Sequence, residues 1–252
     1  MVITEDEWLS ACIGYPVFRI EAPQDKPQFL EAMERHASRQ HTAMYYVRIT
    51  ADQIETVRRF SAAGFYVVDV GVTFGLKIHP DGPAGPTRPT LAYEIAEISP
   101  EMHEDVLEIA ATCFRYSRFH QDPGIPPVTA NRIKREWIRS YIEKRRGEAL
   151  WVASSQGRPI GFLAVLGSYE GGSRIRIIDL IGVSIQAQNR GVGRALVQFF
   201  MDRYAPESDY LEVGTQIANI PSLRLYSACG FLPAKSVYVM HRHVRVAGAR
   251  DR

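Results

Sequence analysis

The chain has 252 residues, 46% hydrophobic and 23% charged, close to globular averages, which excludes a disordered or fibrous polypeptide. Thirty Lys+Arg against 28 Asp+Glu leave a net charge of +2, too small a surplus for a dedicated nucleic-acid binder. The best apolar run, Ile177 to Val183, is interrupted by Asp179 and falls far short of the roughly 18 residues a membrane helix needs, so no membrane partner is expected. The opening Met1-Val2-Ile3-Thr4-Glu5-Asp6-Glu7 is acidic and lacks a basic-then-apolar secretory pattern. Cys12, Cys113 and Cys229 are odd in number and far apart, fitting neither a disulfide framework nor a zinc site. The expectation is a soluble, cytoplasmic protein of one or two domains, without metal.

In chain order, Met44 to Ile49 is strand-like, and a β-rich run follows Phe65. His79 to Thr90 carries four prolines and two glycines with no large apolar side chain, the composition of a surface linker. Beyond it, Leu91 to Ile98 reads as a strand and Pro100 to Phe114 as a helix with Val106, Ile109 and Ala110 on one face. Residues 131–146 form a second predicted helix, with Ile133, Trp137 and Tyr141 spaced by four and a basic, solvated opposite face. Trp151 to Ser154 and Ile160 to Leu166 flank Gln156-Gly157 as a hairpin. Ile175 to Ile185, apolar on both faces, reads as a central strand. A helix from Gly191 to about Tyr204, a strand Tyr210 to Gln216, a short helix Asn219 to Ala228 and a strand Val237 to Val244 complete the order. Elements in this order predict a mixed α/β sheet with helices on both faces.

A repeat spans the linker. Phe60-Ser61-Ala62-Ala63-Gly64-Phe65 matches Tyr226-Ser227-Ala228-Cys229-Gly230-Phe231, each with a strand-like stretch a similar distance upstream and a β-rich run after it. The N-terminal half therefore reads as a diverged strand–helix–strand copy, a chance match being the alternative.

The segment Gln188-Asn189-Arg190-Gly191-Val192-Gly193-Arg194 lies between the central strand and a helix. Its glycines permit a tight turn and close approach of a ligand to backbone N–H groups. A helix's first turn leaves about four N–H groups unpaired and about half a positive charge, which suits a pyrophosphate. Arg190 and Arg194 add charge-assisted contacts. A Rossmann fingerprint would need a third glycine where Leu196 stands, and a P-loop would need Gly-Lys-Ser/Thr; a plain structural turn is the alternative.

Taken with Asn219 and Tyr226-x-x-x-Gly230-Phe231, this pattern resembles the GCN5-related N-acetyltransferase (GNAT) superfamily over roughly residues 91–244. Within it, Thr215-Gln216-Ile217-Ala218-Asn219 running into Tyr226, with upstream Ser117-Arg118-Phe119, is similar to the bacterial TDP-fucosamine acetyltransferase group. The resemblance implies a GNAT fold, α/β with a mixed, mostly antiparallel twisted sheet, preceded by a degenerate half-GNAT copy. Its expected divisions are a partial domain over 1–79, a linker over 80–90, a catalytic N-acetyltransferase domain over 91–245 and a tail over 246–252.

The resemblance also implies acetyl-CoA as cosubstrate and a primary amine as acceptor, with a nucleotide-linked amino sugar as the candidate and a homodimer as the candidate assembly. Gln188, Asn189, Arg190, Gly191, Val192, Gly193 and Arg194 would grip the diphosphate. Ile181, Gly182 and Val183 would pair with the pantetheine arm, and the Val183 N–H would polarise the thioester carbonyl. Asn219, an N-cap residue two helical turns before Tyr226, would hold the arm's amide. The Tyr226 phenol, protonated at neutral pH, would give its proton to the leaving sulfur. Phe60 of the other copy has no proton to give.

Asp179, expected on the strand face of Ile181 and Val183, is a candidate base, with a structural pairing to Arg174 or Arg176 as the alternative. On the acceptor side, Arg118 could hold a phosphate, Tyr116 or Phe119 could stack on a base or sugar, and His120 could titrate near neutrality. A packed loop is the bland reading of that segment. Competing functions are acyl transfer to another small amine or a protein N-terminus, and a non-catalytic acyl-CoA sensor.

Overall fold

The computed structural model describes residues 2–21, 27–79 and 93–245, with backbone alone for 27–30. In chain order it contains β1 (Val2–Glu5), α1 (Glu7–Ile13), β2 (Val17–Glu21), α2 (Pro27–Ala37), β3 (Thr42–Thr50), α3 (Ile54–Ala62) and β4 (Tyr66–Lys77). Then follow β5 (Glu94–Glu97), α4 (His103–Thr112), α5 (Pro127–Ile142), β6 (Ala149–Ser155), β7 (Arg158–Glu170) and β8 (Ser173–Val183). The last described elements are α6 (Val192–Tyr204), β9 (Tyr210–Gln216), α7 (Ile220–Ala228) and β10 (Leu232–Arg245). The predicted linker over 80–90 and tail over 246–252 lie outside the described residues.

Local chemistry accounts for most of these boundaries. The β6–β7 turn holds Gln156 at φ 51° and Gly157 at φ 74°, the two left-handed residues of a type I′ hairpin. α5 begins and ends four residues earlier than the 131–146 expectation, because Pro127 is tolerated in a first turn and Lys144 leaves the helical region at φ 56°. The two sequence repeats close their helices identically: Phe65 N–H donates to Phe60 C=O and Phe231 N–H to Tyr226 C=O, each at 3.0 Å. Gly64 at φ 82° and Gly230 at φ 89° supply the left-handed residue that this helix ending requires.

The chain forms two compact units, one of Met1–Gly71, Tyr116–Ile133 and Lys235–Arg252, the other of Val72–Arg115 and Lys134–Ala234. This spatial grouping differs from the sequence division at 80–90, and strand pairing explains why. In the first unit β2 pairs parallel with β3, and β3 pairs antiparallel with the later part of β10, in register from Val237↔Thr50 to Arg245↔Thr42. In the second unit the order runs from β4 through β9, β8, β7 and β6 to β5. Each repeat thus sends the strand after its helix to a sheet partner of the other: β10 lies beside β3, and β4 beside β9.

Successive residues of β7 in the second unit feed opposite cores. Leu163 and Val165 pack with Leu196 and Phe200 of α6 and Tyr226 of α7; Phe162 and Ala164 pack with Val106 and Ala110 of α4 and Ile138 and Tyr141 of α5. In the first unit one sheet face buries Phe18, Ile20, Tyr45, Val47 and Met240 with Phe60 and Phe65.

Candidate active site

The site begins with an irregularity in β8. Its pairing with β7 runs Leu163↔Ile181, Ala164↔Leu180, then Val165↔Ile178, leaving Asp179 unmatched as a bulge. Parallel pairing of β8 with β9 ends at the same point, with Ile178↔Val213 the last pair. Beyond it, β8 continues to Val183 and β9 to Gln216 without pairing to each other, so the two strands splay. The 179–183 segment therefore has an edge that β9 does not cover, the kind of edge an added strand can pair with.

That edge leads into the glycine corner. Asn189 at φ 60° and Gly191 at φ 86° are both left-handed, turning the chain into α6. No side chain caps the first turn of α6. Arg190, Gly191 and Arg194 are exposed, while Val192 and Leu196 anchor the helix in the core. Tyr93 Oη donates to Arg190 C=O at 2.6 Å and Gln188 Nε2 to Val183 C=O at 3.2 Å, fixing both ends of the corner. An uncapped first turn beside two exposed arginines is chemistry that suits an anion. Gly182 matters through space rather than φ: a Cβ there would meet the Phe162 ring at 2.6 Å and Cys113 Sγ at 2.8 Å. Burial pushes the pKa of this thiol up to about 12.

Asn219 caps α7, its Oδ1 accepting from Ser222 N–H at 3.3 Å. Tyr226 is 2% exposed, its ring packed 5.9 Å from Phe74 and 6.4 Å from Phe231, centroid to centroid. Burial pushes its pKa upward, a hydrogen bond with Ser222 opposing, so the phenol is protonated at neutral pH.

Asp179 corrects the sequence expectation twice. The bulge takes it off the face of Ile181 and Val183, which pack in the α6 core, and places it against α5. There its Oδ2 accepts from Trp137 Nε1 at 2.7 Å, Tyr141 Oη at 2.8 Å and Arg146 Nε at 2.7 Å, and its Oδ1 from Arg146 Nη2 at 2.9 Å. Its pKa is lowered: these donors, led by Arg146, outweigh the opposing effect of burial. A carboxylate so saturated makes a poor base. Neither suggested partner binds it, since Arg174 pairs with Asp209 and Arg176 with Glu148. The basic face of α5 is not uniformly solvated either, because Lys134 is buried between the rings of Phe114 and Trp137.

The acceptor-side candidates belong to the first unit, whereas the loop, Asn219 and Tyr226 belong to the second. Tyr116 is exposed. Phe119 is buried, and its ring is taken up by the Arg118 guanidinium 4.6 Å away rather than presented on the surface. His120 is fastened at both nitrogens, Nδ1 to Ser117 Oγ at 2.6 Å and Nε2 to Asn131 Oδ1 at 2.9 Å.

Three residues escaped the sequence reading: Asp122, His241 and His243, whose potential ligand atoms lie within 4.8 Å of one another. His241 and His243 alternate on β10, so they share a face, a period-2 signal visible in Met240-His241-Arg242-His243. Asp122 Oδ2 contacts His241 Nδ1 at 2.6 Å and His243 Nε2 at 2.9 Å, while its Oδ1 accepts from Tyr66 Oη at 2.6 Å and Gly124 N–H at 2.8 Å.

Comparison with known proteins places this geometry. A model described as the acetyltransferase (GNAT) family matches residues 103–231. The spore coat polysaccharide biosynthesis protein SpsD of Bacillus subtilis is 30% identical over 154 residues, 59% of this chain and 50% of that protein. The chain thus spans half the length of this curated relative. A GCN5-related N-acetyltransferase structure from Sphaerobacter thermophilus covers 97% of this chain and 76% of its own at 17% identity and TM-score 0.62. A tandem GNAT protein from the clavulanic acid biosynthesis pathway covers 94% and 77% at 16% identity and TM-score 0.55. These likenesses show the fold expected from sequence, α/β with a mixed sheet and flanking helices. Among the described residues no helix is long and apolar enough to cross a membrane.

Proposed function

Because the chain belongs to the GNAT family of acetyltransferases, we propose that it moves an acetyl group from acetyl-CoA to the primary amine of a nucleotide-linked amino sugar, by direct attack and without an acyl-enzyme. The observation that carries this reading is the splay of β8 from β9 beside the uncapped first turn of α6. An extended arm fits the open strand edge and a diphosphate fits the helix end, the two ends of one coenzyme.

Acetyl-CoA supplies the acetyl group, activated as a thioester. Residues 188–194 hold the diphosphate through backbone N–H groups and the exposed Arg190 and Arg194. Ile181, Gly182 and Val183 align the arm, assisted by Asn219, and the Val183 N–H stabilises charge on the thioester oxygen; such a donor is worth about 3–4 kcal/mol in other acyl transfers. Tyr226 gives its proton to the departing sulfur. The amine enters neutral and releases its surplus proton to water, because Asp179 is already saturated with donors.

The repeat supports catalysis by residues 91–245, with 1–79 the degenerate copy, since Phe60 stands where Tyr226 does and lacks a hydroxyl. A sugar acceptor is supported by the likeness to SpsD, a polysaccharide biosynthesis protein, and by the Ser117-Arg118-Phe119 motif shared with the TDP-fucosamine acetyltransferase group.

The test is CoA release from acetyl-CoA with a panel of TDP- and UDP-linked amino sugars, free amino sugars, other small amines and a peptide. The nucleotide-linked amines should give the highest kcat/KM, and Tyr226→Phe should lower kcat about 10²–10⁴-fold. Preference for the peptide would overturn the acceptor assignment, and an unchanged kcat in Tyr226→Phe would remove the acid. Acetyl-CoA binding without turnover on any amine would make the chain a sensor.

A further inference from the structure

The second face of the sheet in the first unit mixes buried Val17, Met44 and Val239 with a run of polar side chains. Cross-strand register puts Arg19, Tyr46 and His241 in one row on β2, β3 and β10, with Arg48 and His243 in the adjoining rows on the same side. Arg118 lies on this face, its guanidinium 4.1 Å from the centre of the Tyr46 ring and its Nη1 3.3 Å from His241 Nε2. Among the described residues no carboxylate pairs with it within 4.0 Å. Exposed Arg48 projects on the same side two residues beyond Tyr46, and Asp6, which accepts from Tyr46 Oη at 2.9 Å, lies beyond ion-pair distance of Arg118. A half-buried guanidinium with a second one close by and no carboxylate in contact is an arrangement that an incoming anion relieves.

The atoms behind Arg118 are ordered as a relay. A guanidinium only donates, so His241 Nε2 accepts from Arg118. His241 Nδ1 then carries the proton and donates to Asp122 Oδ2 at 2.6 Å. His241 is fully buried, and Asp122 is fixed in turn by Tyr66, Gly124 and His243. The same donor logic disfavours a metal ion on Asp122, His241 and His243: coordination through His241 Nδ1 would move its proton to Nε2, against the guanidinium.

We infer that Arg118, with Arg48, is an oxyanion-recognition site, and that the Asp122–His241 pair is the device that positions Arg118. Its ligand class is a phosphate or diphosphate ester, held in the fork geometry a guanidinium offers. Arg118 contacts the anion; His241 and Asp122 act only through it. The choice of a nucleotide diphosphate over free phosphate rests on the acceptor proposed above, whereas the site itself does not.

Calorimetric titration of the full chain, without acetyl-CoA, tests this using inorganic phosphate, pyrophosphate, UDP and TDP as separate probes. The diphosphates should bind, and Arg118→Gln should weaken them about 10–100-fold, the loss expected for charge-assisted hydrogen bonds. His241→Gln, which can still accept from Arg118 and donate to Asp122, should retain most of the affinity, whereas His241→Leu should lose as much as Arg118→Gln. Thermal unfolding identifies variants that merely fail to fold; for these, Arg48→Gln supplies the reading, with about a tenfold weakening. In turnover with a nucleotide-linked amine, Arg118→Gln should raise the acceptor KM while leaving the acetyl-CoA KM unchanged. Pyrophosphate and UDP binding equally to wild type and Arg118→Gln would overturn the inference, as would stoichiometric Zn²⁺ binding abolished by His243→Asn. Diphosphate binding that depends on Arg118 but gives no acetyl transfer would leave the site standing and discard the acceptor. Transfer indifferent to Arg118 would do the reverse.

Discussion

Asp179 separates two roles that a strand carboxylate can play. A general base needs a free lone pair and a pKa near the working pH. Asp179 has four donors on its two oxygens, a side chain only 10% exposed and a lowered pKa, all of which favour a fixed anion. Asp179→Asn removes the charge opposite Arg146 and puts an NH₂ among donors. Removing one partner of a buried pair costs about 3–5 kcal/mol; Arg146 is 39% exposed, so solvent screening reduces this to about 2–3 kcal/mol. For a chain of this size the unfolding midpoint should fall by about 5–10 °C. The pH profile of kcat/KM on the neutral-amine side should keep its shape. Loss of an acidic limb with an unchanged melting temperature would restore Asp179 as the base. The residue was visible in the sequence, but its partner was not, because Arg146 reaches it from the turn after α5, 33 positions away.

At the scale of elements, the glycine corner and the helix caps were legible because their signals are local: Asn219 before Pro221, Gln156-Gly157 between apolar runs, and glycines ahead of a helix. The bulge at Asp179 was not, since one carboxylate in an apolar strand reads as an ordinary alternating position and gives no sign of an extra residue. Yet that bulge coincides with the parting of β8 from β9, and with it the proposed coenzyme slot. Gly182 lies on the parted segment, and an alanine there would press into Phe162 and Cys113. Overpacking of this kind costs about 1–3 kcal/mol. Relief requires β8 to shift, so Gly182→Ala should raise the acetyl-CoA KM several-fold while α6 and its uncapped first turn stay intact. Acetyl-CoA binding by calorimetry checks this; unchanged affinity together with a lowered melting temperature would move the slot away from residues 181–183.

For the whole molecule, the repeat was legible as six matched residues, but the exchange of β4 and β10 was not, because a strand's pattern states how it is buried and never which strand it pairs with. That exchange carries His241 and His243 into the first unit, where Asp122 meets them. It also gives folding a pH dependence with a definite sign. His241 has its pKa pushed down to about 4, chiefly by burial, against about 6.5 in an unfolded chain. As pH falls below about 6.5 the unfolded chain takes up this proton first, so stability declines until the folded pKa near 4 is reached. Asp122 continues the decline: burial raises its pKa, but the imidazoles and Tyr66 together hold it well below the usual carboxylate range. Its contribution is present above an unfolded pKa of about 3.9 and is lost as pH falls further. Each such proton adds up to about 1.4 kcal/mol per pH unit. Denaturant midpoints measured from pH 7 to 4.5 should fall more steeply in wild type than in His241→Gln, which has no imidazole to charge. Equal slopes in the two proteins would mean that His241 protonates as readily in the folded chain as in the unfolded one, and hence that the row linking Arg118 to Asp122 is not held closed.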